Sequence, residues 1–197
     1  CLNKINLCFL FAPNFHPILK NVADIRKKIG KRTIFNILGP LLSPVECKKQ
    51  IIGVYDPNIL VKVAEVLKKL ETDFAWVVSG DKEYDELTTT GKNYIAEIKN
   101  NTIKEFEIDA NEFGLKKSKK EDLVGGDSKK NAEIIKEILK GNLLGAKKNI
   151  VLLNSAAALY INGKIENIKS GLEIVNETIE SGKTFKKLKD LIELTNS

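Results

Sequence analysis

Residues 51–80, IIGVYDPNILVKVAEVLKKLETDFAWVVSG, decide the fold. Ile51-Ile52-Gly53-Val54 is a short apolar run of buried-strand type. Asp56-Pro57 starts a helix that the pattern carries to about Leu70. Leu60, Val63, Ala64, Leu67 and Leu70 recur at helical spacing and make one apolar face. Phe74 to Val78 is the next buried strand. Strand, helix and strand joined by short links predict a parallel βαβ unit.

Downstream, SGDKEYDELTTTG (79–91) is a polar loop at the carboxyl end of the second strand. Tyr94–Ile98 and Ile103–Ile108 alternate about Asn100-Asn101, which suits a hairpin. Ser128–Lys140 is amphipathic through Ile134, Ile135, Ile138 and Leu139. Lys148–Ile161, rich in Ala and Leu, reads as a buried helix, and two more helices follow at about 167–180 and 184–195. Upstream, INLCFLFA (5–12) reads as a short buried strand ended by Pro13. His16-Pro17 opens a helix expected to run to about Lys28 and stop at Gly30. Thr33 is the expected cap of a second short helix, Ile34–Leu38, closed by Gly39-Pro40. The change from this helical stretch to alternating strands and helices falls near residues 43–49. The expected class is α/β, with a mostly parallel central sheet flanked by helices.

Composition narrows the function classes. The chain has 197 residues, 43% apolar and 29% charged, enough for one sizeable core. It is not the composition of a disordered tail, a collagen-like fibre or a coiled coil. No apolar run approaches the roughly 18–20 residues of a membrane span, and no signal-type segment opens the chain. Three cysteines, Cys1, Cys8 and Cys47, do not make a disulfide framework, so a reducing cytoplasm is expected. There is no methionine and residue 1 is Cys, so the chain is expected to be a processed product or a piece of a longer protein.

The net charge of +6 invites a nucleic-acid partner. The 30 lysines, however, are scattered and alternate with carboxylates, as in Lys62, Glu65, Lys68, Lys69 and Glu71. The densest run, Lys116 to Lys120, has no interleaved aromatics for base stacking. A solvated surface accounts for both. Against this background the two arginines, Arg26 and Arg32, stand out. A guanidinium grips a carboxylate or phosphate with two parallel hydrogen bonds, which Lys does not. A structural ion pair or a helix C-terminal contact is the other reading of Arg26.

Three places could carry chemistry. Asp85-Glu86 follows a strand end, where ligands gather in open α/β sheets. Adjacent loop carboxylates suit Mg²⁺ shared with phosphate oxygens; on the residues alone this is a weak signal, because acidic pairs are common in solvated loops. His16, the only histidine, has no Cys or His partner for zinc and reads as a hydrogen-bonded helix-start residue. Gly125-Gly126-Asp127 lacks the flanking pattern of a phosphate-binding loop and reads as a turn with an N-cap for the following helix.

Residues 13–44, PNFHPILKNVADIRKKIGKRTIFNILGPLLSP, resemble the signature stretch of the anthranilate phosphoribosyltransferase family. The likeness continues through IIGVYDP (51–57), VVSGDKEYDELTTTG (77–91), FGL (113–115), LVGGD with Asn131 (123–131) and IVLLNSAAALY (150–160). It implies transfer of phosphoribose from phosphoribosyl pyrophosphate to the amine of anthranilate, a step of tryptophan biosynthesis. It implies a nucleoside phosphorylase/phosphoribosyltransferase-like large domain. The helices of about 14–44 would then belong to a small helical domain, and about 45–197 would form the α/β body. Arg26 matches the arginine that holds the anthranilate carboxylate. Pro13, His16 and Pro40 fall where the family lines its anthranilate pocket and entry channel. Asp85 and Glu86 match the acidic pair that binds Mg²⁺. No general base is assigned.

The family's Gly-Thr-Gly-Gly-Asp, Asn-x-Ser-Thr and Lys-His-Gly-Asn phosphate segments are absent, as is the helical region carrying most of its dimer interface. The chain is therefore expected to be the C-terminal half to two-thirds of such an enzyme and inactive alone. The whole protein is expected to be a cytoplasmic homodimer with no nucleic-acid or membrane partner. A related phosphorylase and a nucleic-acid-binding member of the same superfamily are the competing readings, because the fold alone does not separate them.

Overall fold

The computed structural model describes residues 1–22, 25, 28–31 and 33–196. The chain divides into two compact units. One is Cys47–Lys186, and the other is Cys1–Glu46 with Lys187–Ser197.

The larger unit is built on a four-stranded sheet in the order β1-β2-β3-β4, with β1 Lys49–Gly53, β2 Phe74–Gly80, β3 Lys92–Lys99 and β4 Thr102–Asp109. Asp56 accepts the Asn58 N–H at 2.9 Å and starts a 3₁₀ turn, Pro57–Ile59, that feeds α1, Leu60–Lys69. β1 and β2 are parallel, as a helical crossover demands. The expectation of a mostly parallel sheet fails beyond that pair, since β2–β3 and β3–β4 are antiparallel. The reason lies in the connections: no helix links these strands, and β3 returns through Asn100-Asn101. Both asparagines have positive φ, 49° and 59°, the geometry of a two-residue hairpin turn. The α/β class with helices flanking the sheet holds.

Side chains alternate across the sheet. Ala75 and Val77 share one face with Ile52, Ala96 and Ile98, and α1 covers this side with buried Leu60, Val63, Ala64 and Leu67. Trp76, Val78 and Ile95 point the other way into a cluster with Leu152, Leu153, Ala156, Ala157 and Ile161. Those last five come from α3, Ala146–Ile161, which follows α2, Ser128–Leu139. The fourth helix, α4 (Ile168–Glu180), packs on α3. The two cross closely at Gly171, where a Cβ would lie 2.9 Å from Ala156 Cβ and 2.4 Å from Ile165 Cδ1. Trp76 also pairs with Glu97 through its indole N–H at 2.8 Å, so the large ring is buried with its polar handle satisfied.

The smaller unit has short elements: helices Leu2–Ile5, Ala12–Phe15 and Phe35–Leu41, and a 3₁₀ segment, Pro17–Val22. The unit boundary falls inside the helix Lys183–Asn196. The strand expected at 5–12 does not form. Leu2–Ile5 is helical, residues 7–11 are irregular, and Phe9 is 75% exposed. A strand exists only when its N–H and C=O groups meet a neighbouring ladder, and among the described residues none pairs with this segment. Of the helix expected from His16 to about Lys28, residues 23, 24, 26 and 27 lie outside the described residues, and its start differs. His16 ends the helix Ala12–Phe15 with φ −127° and ψ 61°. Pro17 explains this, because its ring disfavours helical geometry in the residue before it. Finally, Phe35–Leu41 runs through Gly39-Pro40 instead of closing there, and its N-cap is Ile34, not Thr33. The Thr33 N–H instead donates to Asn36 Oδ1 at 2.9 Å.

Candidate functional site

The polar loop 81–91 leaves the carboxyl end of β2 beside that of its parallel neighbour β1, and carries Asp85 and Glu86, both exposed. The loop is braced from four directions. Beneath it, Gly53 of β1 has no side chain because there is no room for one. A Cβ there would fall 1.5 Å from the Asp85 carbonyl oxygen. A Cβ on Gly80 of β2 would likewise fall 2.4 Å from the Glu86 carbonyl oxygen. The chain then reaches two asparagines. Asn154 of α3 accepts the Leu87 N–H at 3.0 Å and donates to the Leu87 carbonyl at 2.8 Å. Asn93 of β3 does the same for Thr88, at 2.7 Å and 3.0 Å. Consecutive residues 85–88 are thus each tied to a different element.

The rest of the loop is held by hydroxyls. Thr90 donates to the Asp81 carboxylate at 3.0 Å, and Thr88 and Thr90 share a hydrogen bond. Thr89 and Ser118 are 2.6 Å apart. Asp81 and Lys82 sit in the left-handed region, φ 48° and 58°, so the chain turns sharply on leaving β2. Gly91 leaves space for the Asp81 carboxylate, which a Cβ would approach to 2.3 Å.

The electrostatics follow from this packing. Although Glu86 as a residue is exposed, neighbouring groups shield part of its carboxyl from water and raise its pKa above the ordinary carboxylate value, and the Asp85 charge next door adds to the rise. A cation held by the two carboxylates would relieve that repulsion. Among the described residues there is no group of three or more His, Cys, Asp or Glu that could cage a metal. Two carboxylates fit Mg²⁺, which keeps waters and takes phosphate oxygens, better than a metal needing an all-protein cage. A groove of about 430 Å³ beside the loop is lined by Lys82, Tyr94 and Glu107 among others, but by neither Asp85 nor Glu86.

The remaining sequence-predicted residues lie in the smaller unit. Pro13 is exposed in the first turn of Ala12–Phe15, and the half-buried His16 caps the end of that helix, its N–H bonded to the Ala12 carbonyl at 2.9 Å. Pro40 is exposed inside Phe35–Leu41. Arg26 and Arg32 lie outside the described residues. Gly125-Gly126-Asp127 is the expected turn and cap. Asp127 accepts the Lys130 N–H at 2.8 Å, and Asn131 holds Gly126 by both its N–H and its carbonyl at 2.9 Å.

Residues 1–185 match the glycosyl transferase family, a/b domain. The chain belongs to this family. Within it, the chain is 45% identical over 196 residues to the anthranilate phosphoribosyltransferase of Methanobrevibacter smithii, covering 100% of this chain and 58% of that protein. The anthranilate phosphoribosyltransferase of Thermus thermophilus has the same fold, with a TM-score of 0.90 and 32% identity over 98% of this chain and 57% of that one. The Saccharomyces cerevisiae enzyme, solved in complex with PRPP and Mg, superposes with a TM-score of 0.87 and 30% identity over 96% of this chain and 55% of that one. The chain thus spans somewhat over half the length of the relatives it matches. These relatives are glycosyl transferases of the phosphoribosyl-transferring kind, and a Mg-bound member is among them.

Sequence reasoning placed the acidic pair but missed the parts that hold it: Gly53, Asn93 and Asn154. A signal was there. Asn154 is a polar residue inside a largely apolar run, IVLLNSAAALY, whereas Asn93 follows Gly91-Lys92 at the start of its strand and carries no such signal. A polar side chain in such a run needs a hydrogen-bond partner.

Proposed function

We propose that the whole protein transfers the phosphoribosyl group from phosphoribosyl pyrophosphate to the amine of anthranilate, releasing pyrophosphate, in tryptophan biosynthesis. The observation that carries this reading is the braced Asp85-Glu86 pair at the carboxyl end of β2. The likeness to the M. smithii protein along the full chain supports it, as does the yeast relative's complex with PRPP and Mg.

The residue types suit the chemistry. Cleaving the ribose–pyrophosphate bond builds negative charge on the leaving group. Asp85 and Glu86 would hold Mg²⁺, which when bound neutralises that charge. The amine of anthranilate is a weak nucleophile, so holding it in place matters more than removing its proton. Arg26 would grip the anthranilate carboxylate with two charge-assisted hydrogen bonds, and Pro13, His16 and Pro40 would line its pocket. No residue is assigned as a general base. The whole protein is proposed to be a cytoplasmic homodimer, and residues 1–197 alone to be inactive. Among the described residues no helix is long and apolar enough to cross a membrane.

The test follows the loss of anthranilate fluorescence in the whole protein with phosphoribosyl pyrophosphate and Mg²⁺. Turnover is expected in the wild type, a raised KM for anthranilate in Arg26→Ala, and loss of metal-dependent turnover in Asp85→Asn/Glu86→Gln. A wild-type protein that leaves anthranilate untouched overturns the substrate assignment and directs the search to other amines and bases.

A further inference from the structure

We propose that Asn154 is a positioning residue for the Asp85-Glu86 pair, and that its grip on Leu87 sets how strongly the pair holds a divalent cation. The inference rests on the metal reading of the pair given above. Leu87 is the residue immediately after Glu86. Its side chain is sealed in the core cluster, and both of its main-chain polar atoms are taken by one carboxamide, the N–H at 3.0 Å and the carbonyl at 2.8 Å. Nothing at Leu87 is left free to turn, so the direction in which Glu86 leaves the chain is inherited from Asn154.

The helix that presents Asn154 is itself fixed. Leu153, Ala156 and Ala157 beside it are fully buried, and Asn154 Nδ2 also bonds the Ile150 carbonyl at 3.0 Å. On the upstream side the Asp85 and Glu86 carbonyls rest on Gly53 and Gly80, where not even a methyl group fits. Two adjacent carboxylates repel each other, and an unbraced loop would let them splay. Glycines below and an asparagine behind oppose that before any cation arrives. Groups that orient metal ligands from behind characteristically change metal affinity by about tenfold to a hundredfold when removed. Asn154 holds the main chain, not the carboxylates themselves, so the lower end of that range is expected.

The test titrates Mn²⁺ into the whole protein and reads free Mn²⁺ by electron paramagnetic resonance. Thermal midpoints and amide exchange at Leu87 are measured alongside. Asn154→Ala is expected to weaken Mn²⁺ binding by about tenfold and to speed exchange of the Leu87 amide. Asn154→Ser, which puts one short hydroxyl in place of the carboxamide, is expected to fall between it and the parent, and it serves alone should the alanine variant not fold. Leu67→Ala, which opens a cavity on the other face of the sheet, is expected to lower the thermal midpoint and leave Mn²⁺ affinity unchanged.

Parent-like Mn²⁺ affinity in the Asn154 variants overturns the inference, and so does an equal weakening in Leu67→Ala. Asp85→Asn/Glu86→Gln separates the two levels. If it abolishes binding while the Asn154 variants do not, only the role of Asn154 falls. If it binds Mn²⁺ as the parent does, the metal reading falls and the inference with it.

Discussion

Leu67, Val78 and Leu153 of the larger unit are sealed from solvent, whereas in the smaller unit Phe9, Phe11 and Ile18 stand 75%, 54% and 72% exposed. The side chains are of the same apolar kind, so side-chain chemistry does not explain the difference. Architecture does. Residues 47–186 contain both layers of a packed domain, a hydrogen-bonded sheet and helices of 10–16 residues whose apolar faces cover it. The described helices of residues 1–46 are four to seven residues long. A helix of one turn offers no continuous apolar stripe to bury, and an apolar run without a strand partner leaves its backbone to water. An apolar pattern predicts burial only where the chain also supplies the opposing surface.

The largest effect expected from breaking this contrast is at Gly53. Gly53→Val puts a branched side chain into the Asp85 main chain, and the loop must move. A loss of at least about 3 kcal/mol is expected in chemical denaturation, together with exposure of residues 81–91 to limited proteolysis. A valine variant as stable as the parent would mean that the loop is not seated on the sheet.

Next in size, Leu67→Ala or Leu153→Ala removes a wholly buried side chain and is expected to cost about 2–5 kcal/mol. Gly171→Ala sharpens the same point with a single methyl group. The α3–α4 crossing has no room for it, and a cost of about 1–3 kcal/mol is expected. Asp127→Ala removes the carboxylate that caps α2, and about 1 kcal/mol is expected, measured as a shift in the denaturation midpoint. Smallest of all, Phe9→Ser in the smaller unit is expected to change stability by no more than about 0.5 kcal/mol. A loss approaching that of Leu153→Ala would erase the contrast between the units and show that Phe9 is buried in solution.

Much of the larger unit was legible because its signals are local. The 3.6-residue period over 60–69, the apolar runs of β1 and β2, and the Asn100-Asn101 turn each specify an element from neighbouring residues alone. The antiparallel return of β3 was less so, since strand direction follows from how the connections run in space. In the smaller unit, 5–12 reads as a strand by composition, yet a strand is a relation between two segments and composition describes one. The effect of Pro17 on His16 was local and readable, and the expectation of a helix there overlooked it. At the candidate site, Asp85 and Glu86 are neighbours in sequence, so their pairing needed no fold. Their bracing did, because Gly53, Asn93 and Asn154 come from three elements spread over about half the chain.

By itself, then, the sequence determined the helices and strands of residues 47–186, the adjacency of the two carboxylates, and membership of a glycosyl transferase family through motifs that run along the chain. Only the tertiary structure decided which apolar residues are buried, which way the third strand runs against the second, and how the acidic loop is held. The physical reason is the same in each case. Periodicity and capping are set by residues within a few positions of one another, whereas burial, strand direction and an asparagine's grip on a distant peptide depend on groups that meet only after the chain has folded.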